Sequence, residues 1–194
     1  MMKVTAAILA GGKGTRFVPH KGLLNLNGET IIERQIRELK SVFDDLIIIT
    51  NSLERYKALG VRLFSDIALD KGPLGGIYSA LINSDGQYNF LIASDMPHVN
   101  TLLIEYMRNY IKDYDVVVPE FRRKLEPLYA FYSKSCISSI KRQFEKNNFK
   151  LTDFLTGVKI KKIKHDEVSH FDPQGLSFAN INTEKDYEKF KGEE

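Results

Sequence analysis

Residues 3–10 read KVTAAILA, a continuous apolar run with β-branched members that passes directly into Gly11-Gly12-Lys13-Gly14. A run without polar alternation fits a strand covered on both faces rather than one with a wet side. Similar short runs recur at 46–50 (LIIIT), 61–64, 89–94 (NFLIAS), 116–119 and 128–132 (LYAFY). Helical signals fall between them. Thr30-Ile31-Ile32-Glu33 is a capping box, followed by Ile32, Ile36, Leu39 and Phe43 at helical spacing. Further helices are expected over 100–112 and 135–147, with a last one opening at Thr183. Residues 72–76 are expected to form a glycine loop before a short helical stretch, and 158–164 an edge strand. Such alternation predicts an α/β fold with three layers, a doubly wound and mostly parallel sheet with helices on both faces. Sheets of this kind bind ligands beyond the carboxyl ends of their strands.

At 194 residues, with no repeat, low-complexity tract or long linker, the chain is expected to form a single domain over 1–194. No segment approaches the roughly 18 apolar residues of a membrane span, and the N-terminal apolar run enters a glycine loop instead of a cleavage site. Cys136 is the sole cysteine, which rules out an internal disulfide and fits a cytoplasmic protein. A net charge of +3 suits an anionic small molecule better than nucleic acid or a membrane surface. The run from Lys159 to Lys164 reads as a solvated strand face.

Several residues could carry chemistry. Glycines after a buried strand let backbone N–H groups approach an anion without a Cβ in the way. Phe17 stands where a dinucleotide fingerprint needs its third glycine, and Gly14 follows Lys13 where a P-loop needs Ser or Thr. The loop is therefore either an anion cradle of another kind or a plain turn. Lys21 could neutralise a polyphosphate as a point charge, or be an ordinary solvated lysine. Asp95 ends the strand in LIASDMP, where a carboxylate could hold Mg²⁺ or cap a turn. Gly72-Pro73-Leu74-Gly75-Gly76 offers a further close backbone approach, or a rigid turn. The four histidines have no zinc-type spacing, and no Gly-x-Ser-x-Gly elbow occurs.

Taken in order, ILAGG at 8–12, KGLLNLNG at 21–28, GPLGGIYSAL at 72–81, ASDMPHV at 93–99, EPLYAFY at 126–132 and NINTEKDY at 180–187 resemble the molybdenum cofactor guanylyltransferases of the nucleotidyltransferase superfamily. LAGG alone is shared with sugar-phosphate nucleotidyltransferases; the ordered set is specific. The resemblance runs nearly end to end and implies a Rossmann-like nucleotidyltransferase fold. It implies transfer of GMP from GTP to molybdopterin with release of pyrophosphate, with Mg²⁺ as cofactor and a monomer or weak oligomer. By position it implies that Leu9, Ala10 and Gly11 meet GTP through backbone and that Lys21 binds the triphosphate. It implies that Asn51 and Asp66 contact the nucleotide, that Asp95 ligates Mg²⁺ and that Asn182 lies near the active site. Arg16 joins Lys21 and Asp95 as an expected catalytic residue.

The chain departs from the family pattern in two places. Val18-Pro19-His20 replaces the usual Gly-x-Asp before the lysine, in a loop about one residue short, and Gly14-Thr15 reads more like a sugar nucleotidyltransferase. If the shorter loop turns Lys21 outward, Lys13 or Arg16 becomes the cation on the phosphates. Arg122, Arg123 and Lys124 precede EPLY and are either near the pterin phosphate or solvated surface charge. The alternatives to the guanylyltransferase reading are a cytidylyltransferase of the same cofactor, a sugar-1-phosphate enzyme, or a non-catalytic nucleotide-binding protein.

Overall fold

A computed structural model describes residues 3–11 and 20–191. In chain order the elements are β1 (Val4–Leu9), a 3₁₀ turn (Lys21–Leu23), β2 (Asn25–Leu26), β3 (Glu29–Thr30), α1 (Ile31–Lys40), β4 (Asp45–Ile49) and α2 (Leu53–Tyr56). There follow β5 (Arg62–Phe64), α3 (Gly72–Asn83), β6 (Tyr88–Ala93), α4 (Thr101–Arg108), β7 (Val116–Phe121), β8 (Lys124–Leu125) and β9 (Tyr129–Ser133). The chain continues through α5 (Cys136–Glu145), α6 (Leu151–Leu155), β10 (Ile160–Ile163), α7 (His165–Ser169) and α8 (Glu184–Lys191).

The main sheet is eight-stranded, in the order β10-β7-β9-β6-β1-β4-β5, with β8 added to β7. Strands β6, β1, β4 and β5 are parallel, and β10 is parallel to β7. Strand β9 runs against both β6 and β7, so β7 points the same way as β6. The apolar runs are buried on both faces because each residue turns to the opposite side of its neighbour. Ala6 and Ile8 of β1, Leu46 and Ile48 of β4 and Phe90 and Ile92 of β6 face the layer containing α1, α4 and α7. Ala7, Leu9, Ile47, Ile49 and Leu91 face α3, α5 and α6 on the other side. This is the expected three-layer, mostly parallel α/β arrangement.

Helix α1 starts where its capping box predicts: the Thr30 hydroxyl accepts from the Glu33 N–H, and Glu33 accepts from the Thr30 N–H at 2.9 Å. Strand β10 is an edge, as expected; its half-exposed Lys162 pairs with Glu120 at 3.6 Å, and the Lys161 ammonium lies 3.8 Å from Glu167 and 4.6 Å from the Tyr110 ring centre. Such lysines discourage pairing with another sheet. Helix α4 ends at Arg108, short of the expected 112, and α5 at Glu145.

One expectation is corrected. Residues 72–76 are not a loop before a helix, because α3 already begins at Gly72 and carries Pro73 in its first turn. Proline suits that position, where its missing N–H would have no helical partner. Gly75 lies inside α3 for a packing reason: a Cβ there would sit 2.4 Å from the Ala68 carbonyl oxygen. The missing side chain lets the 66–70 loop lie directly on the helix. At Gly76 the same atom would meet Leu9 Cδ1 at 3.6 Å, an ordinary contact.

Gly75→Ala should therefore destabilise the protein, since overpacking of about 1–3 kcal/mol exceeds the helix-propensity gain of about 1 kcal/mol. Gly76→Ala should melt at or above the parent temperature. Thermal denaturation of the two variants side by side checks the contrast.

Candidate active site at the carboxyl edge of the sheet

The carboxyl ends of β1, β4, β5 and β6 open into a cleft of about 780 Å³. Leu9, Ala10 and Gly11 line it from the end of β1, Asn51 from beyond β4 and Asp66 from beyond β5. Asp95 lines it from beyond β6, and Lys21 from the 3₁₀ turn. All these sequence-predicted positions thus share one cavity, although they come from separate segments of the chain. Arg16, with Lys13 and the glycines at 12 and 14, lies outside the described residues.

At the floor, the Ala10 N–H donates to the Ile49 carbonyl at 2.8 Å and the Leu9 carbonyl accepts from the Ser94 N–H at 3.1 Å. These bonds extend the sheet past the strand ends and join the β1, β4 and β6 termini. The Ala10 N–H is thereby committed to the sheet, and its carbonyl can accept from a ligand.

Lys21 is brought to Asp95 by close packing. Its neighbour Gly22 lies against Ser94, where an added Cβ would sit 3.0 Å from the serine Cβ and 3.2 Å from the serine carbonyl oxygen. A side chain at that position would push the turn and Ser94 apart by a few tenths of an ångström. The Lys21 ammonium consequently lies 3.4 Å from Asp95 Oδ2 and donates to Asn182 Oδ1 at 2.6 Å. Both charged side chains are largely shielded, at 18% and 24% exposure. An ion pair with this burial is less screened than a surface pair.

The turn carrying Asp95 is fixed from behind by Gln35 of α1. This side chain is fully buried, and its Nε2 donates to the Ala93 and Met96 carbonyls at 2.8 and 2.7 Å, on either side of Asp95. The Asp95 carbonyl accepts from the Ile181 N–H at 2.9 Å, tying the segment before α8 to the same turn. Sequence reasoning passed over Gln35. Its signal was a polar residue on the otherwise apolar stripe of α1.

Asn51 and Asp66 are bonded to each other, the Asp66 N–H donating to Asn51 Oδ1 at 3.0 Å. Asp66 Oδ1 also accepts from the Ala68 N–H at 2.9 Å and lies 2.7 Å from the buried Ser79 hydroxyl of α3. That carboxylate thus holds the 66–70 loop in shape.

Arg122 and Arg123 form the tip of the β7–β8 hairpin at the same edge of the sheet, with left-handed backbone (φ 48° and 65°). Two-residue hairpins require positive φ there, and the chain meets that need without glycine. The Arg122 guanidinium lies 5.1 Å from the Phe121 ring centre. These arginines are not among the described residues lining the cleft. Beside them, buried Glu126 has its carboxyl raised above the ordinary value by desolvation, with Lys124 at 3.6 Å pulling the other way. Among the described residues, no group of three or more His, Cys, Asp or Glu forms a ready-made metal cage, and no helix is long and apolar enough to cross a membrane.

Residues 6–162 match the model of the MobA-like NTP transferase domain. The chain belongs to the MobA-like NTP transferases. Within that family it is 37% identical to a probable molybdenum cofactor guanylyltransferase from Clostridium perfringens, over 97% of this chain and 96% of that protein. It is 34% identical to the molybdenum cofactor guanylyltransferase of Desulfosudis oleivorans, over 97% and 95%. Among solved structures, molybdopterin-guanine dinucleotide biosynthesis protein A from Archaeoglobus fulgidus superposes with a TM-score of 0.82 at 23% identity, covering 96% of both chains. That likeness bears out the nucleotidyltransferase fold that the motif resemblance implies.

The raised carboxyl of Glu126 gives a pH-dependent prediction. A group with a folded pKa above its unfolded value favours folding below the unfolded pKa and loses that contribution as pH rises through the folded one. Glu126→Gln, which is always neutral, should therefore melt higher than the parent near neutral pH. The gap should close as pH falls to about 4, the ordinary range of a glutamate. Melting curves across this range check it, and a gap independent of pH would contradict it.

Proposed function

We propose that this enzyme is a molybdenum cofactor guanylyltransferase in which Lys21 and Asp95 form the reacting end of the cleft. It transfers GMP from GTP to molybdopterin and releases pyrophosphate. The observation carrying the assignment of residues is the shielded Lys21–Asp95 pair, 3.4 Å apart, at the carboxyl edge of a parallel sheet. A cation and a carboxylate at that location suit a substrate that brings both phosphate charge and a divalent metal.

The family uses a divalent metal, which we take to be Mg²⁺. The donor present is an oxygen, the Asp95 carboxylate, which suits a hard ion held by one or two protein ligands plus substrate phosphates. Bound there, Mg²⁺ would supply charge neutralisation to the phosphate oxygens.

In the reaction, a terminal phosphate oxygen of molybdopterin forms a bond to the α-phosphorus of GTP. The bond from that phosphorus to the bridging oxygen breaks, and the electron pair leaves with pyrophosphate. The protein's part is positioning and charge stabilisation. Lys21 stabilises negative charge developing on the leaving phosphates, and Asp95 is the carboxylate that would hold the metal. Leu9, Ala10 and Gly11 offer backbone to the nucleotide, Asn51 and Asp66 border it, and Arg16 adds a second cation. Guanine presents N–H donors on its pyrimidine edge, and the Ala10 carbonyl suits them. The single cysteine, buried Cys136, supports a cytoplasmic setting.

Ligands that bind the native state raise its melting temperature by mass action. With Mg²⁺, GTP should shift the melt more than CTP, UTP or ATP; a shift by CTP alone would replace the substrate. Asp95→Asn should fold normally yet lose turnover by orders of magnitude, as a pyrophosphate-release assay would read. Lys21→Ala should lose about 2.7–4 kcal/mol of transition-state stabilisation, with Lys21→Arg a partial rescue because the planar fork is shaped differently. Lys13→Ala and Arg16→Ala, assayed in parallel, should be milder. If Lys21→Ala is the mildest of the three, the triphosphate cation lies elsewhere in the loop.

A further inference from the structure

Among the described residues the Lys21 ammonium has two oxygen partners, and one belongs to Asn182 in an exposed stretch just before α8. An exposed asparagine holds no fixed direction by itself. Three successive backbone N–H groups are nevertheless committed here. The Ile181 N–H donates to the Asp95 carbonyl at 2.9 Å, and the Asn182 and Thr183 N–H groups donate to Asp186 Oδ2 at 3.0 and 2.8 Å. The Asp186 carboxyl is held below the usual range by its bond from the Asn182 N–H, with Thr183 contributing and the Lys21 charge adding to it. Asp186 is in turn set by α8. Phe190 of that helix packs with Leu26, Ile31 and Ile181 in a small separate core, and the Tyr187 hydroxyl donates to the Asn25 carbonyl at 2.7 Å. The helix is thus anchored to the β2–β3 hairpin that directly follows the Lys21 turn.

We propose that Asp186 is a positioning residue for Lys21: its carboxylate pins the Asn182–Thr183 backbone and so keeps the Asn182 amide oxygen on the ammonium. The inference rests on the reading of Lys21 as the triphosphate cation. Asp186 also belongs to the capping box of α8, its carboxylate accepting from the Thr183 N–H while the Thr183 hydroxyl accepts from the Asp186 N–H at 3.2 Å, so the experiment must separate capping from positioning.

Steady-state pyrophosphate release from GTP is measured for Asp186→Ala, Asp186→Asn, Thr183→Ala, Asn182→Ala and the Asn182→Ala/Asp186→Ala double variant, each with its melting temperature. Asp186→Ala should lower kcat about tenfold or more, as small misplacements of a catalytic group do, with little change in the KM for GTP. Asp186→Asn keeps an oxygen that can accept both N–H groups and should restore most of kcat. Thr183→Ala weakens the same cap without touching the Asp186–Asn182 bond, so its melting temperature should fall while kcat stays within about twofold. The double variant should be no slower than Asn182→Ala, because both changes break one linkage.

Parallel loss of kcat in Asp186→Ala and Thr183→Ala, or full additivity in the double variant, would reduce Asp186 to a helix cap. An undamaged Asp186→Ala beside damaged Lys21→Ala and Asn182→Ala overturns the positioning role alone. An undamaged Lys21→Ala overturns the reading of Lys21 as well.

Discussion

Opposite charges meet at the carboxyl edge of the sheet and define this structure's functional end. Lys21 comes from the turn before β2, Asp95 from the end of β6, and Asn182 from the approach to α8. Lys21 is separated from the other two by 74 and 161 residues in sequence, so the contact closes long stretches of chain. Such closure carries an entropic cost. The packing beneath offsets it: Gly22 against Ser94, Gln35 around the Asp95 turn, and Phe190 in its own small core. The charged contact lies on a platform that hydrophobic burial has already assembled.

That platform explains where the chemistry can occur. Parallel strands bring the β1, β4 and β6 termini to one edge, and the Ala10–Ile49 and Ser94–Leu9 bonds extend the ladder into the first residues of the cleft. A phosphoryl-transfer site works by fixed placement of charge, since charges that need no rearrangement stabilise a transition state most effectively. The flanking 66–70 loop is bonded onto α3 through Asp66 and Ser79, and lies close because Gly75 has no side chain. The cleft wall on that side is therefore built from helix packing and local hydrogen bonds together.

Much of the fold was legible in the chain itself. Uninterrupted runs such as LIIIT and NFLIAS can be satisfied only by burial on both faces, and that requirement leads to a three-layer arrangement. The Thr30–Glu33 box located the start of α1 because its bonds are made within four residues. Local signals misled at residues 72–76, where glycine content predicted a loop. A helix forms there all the same, and Gly75 serves packing within it, because the Ala68 carbonyl occupies the space a side chain would take. The short α2, α6 and α7 carry too few residues for a periodic pattern and were not expected.

The site divides along the same line. The sequence by itself determined the strand-end locations of Leu9, Ala10, Gly11 and Asp95, since each follows an apolar run that must be a buried strand. Motif order supplied Lys21, Asn51, Asp66 and Asn182 as candidates, but no spacing in the chain states that Lys21 meets both Asp95 and Asn182. Only the tertiary structure decided that, and only it gave Gln35, Ser79 and Asp186 their places around the cleft. The physical reason is range: a strand or a cap is set by neighbours a few residues away, whereas these polar contacts exist only after the sheet, both helix layers and α8 have packed and brought distant residues together.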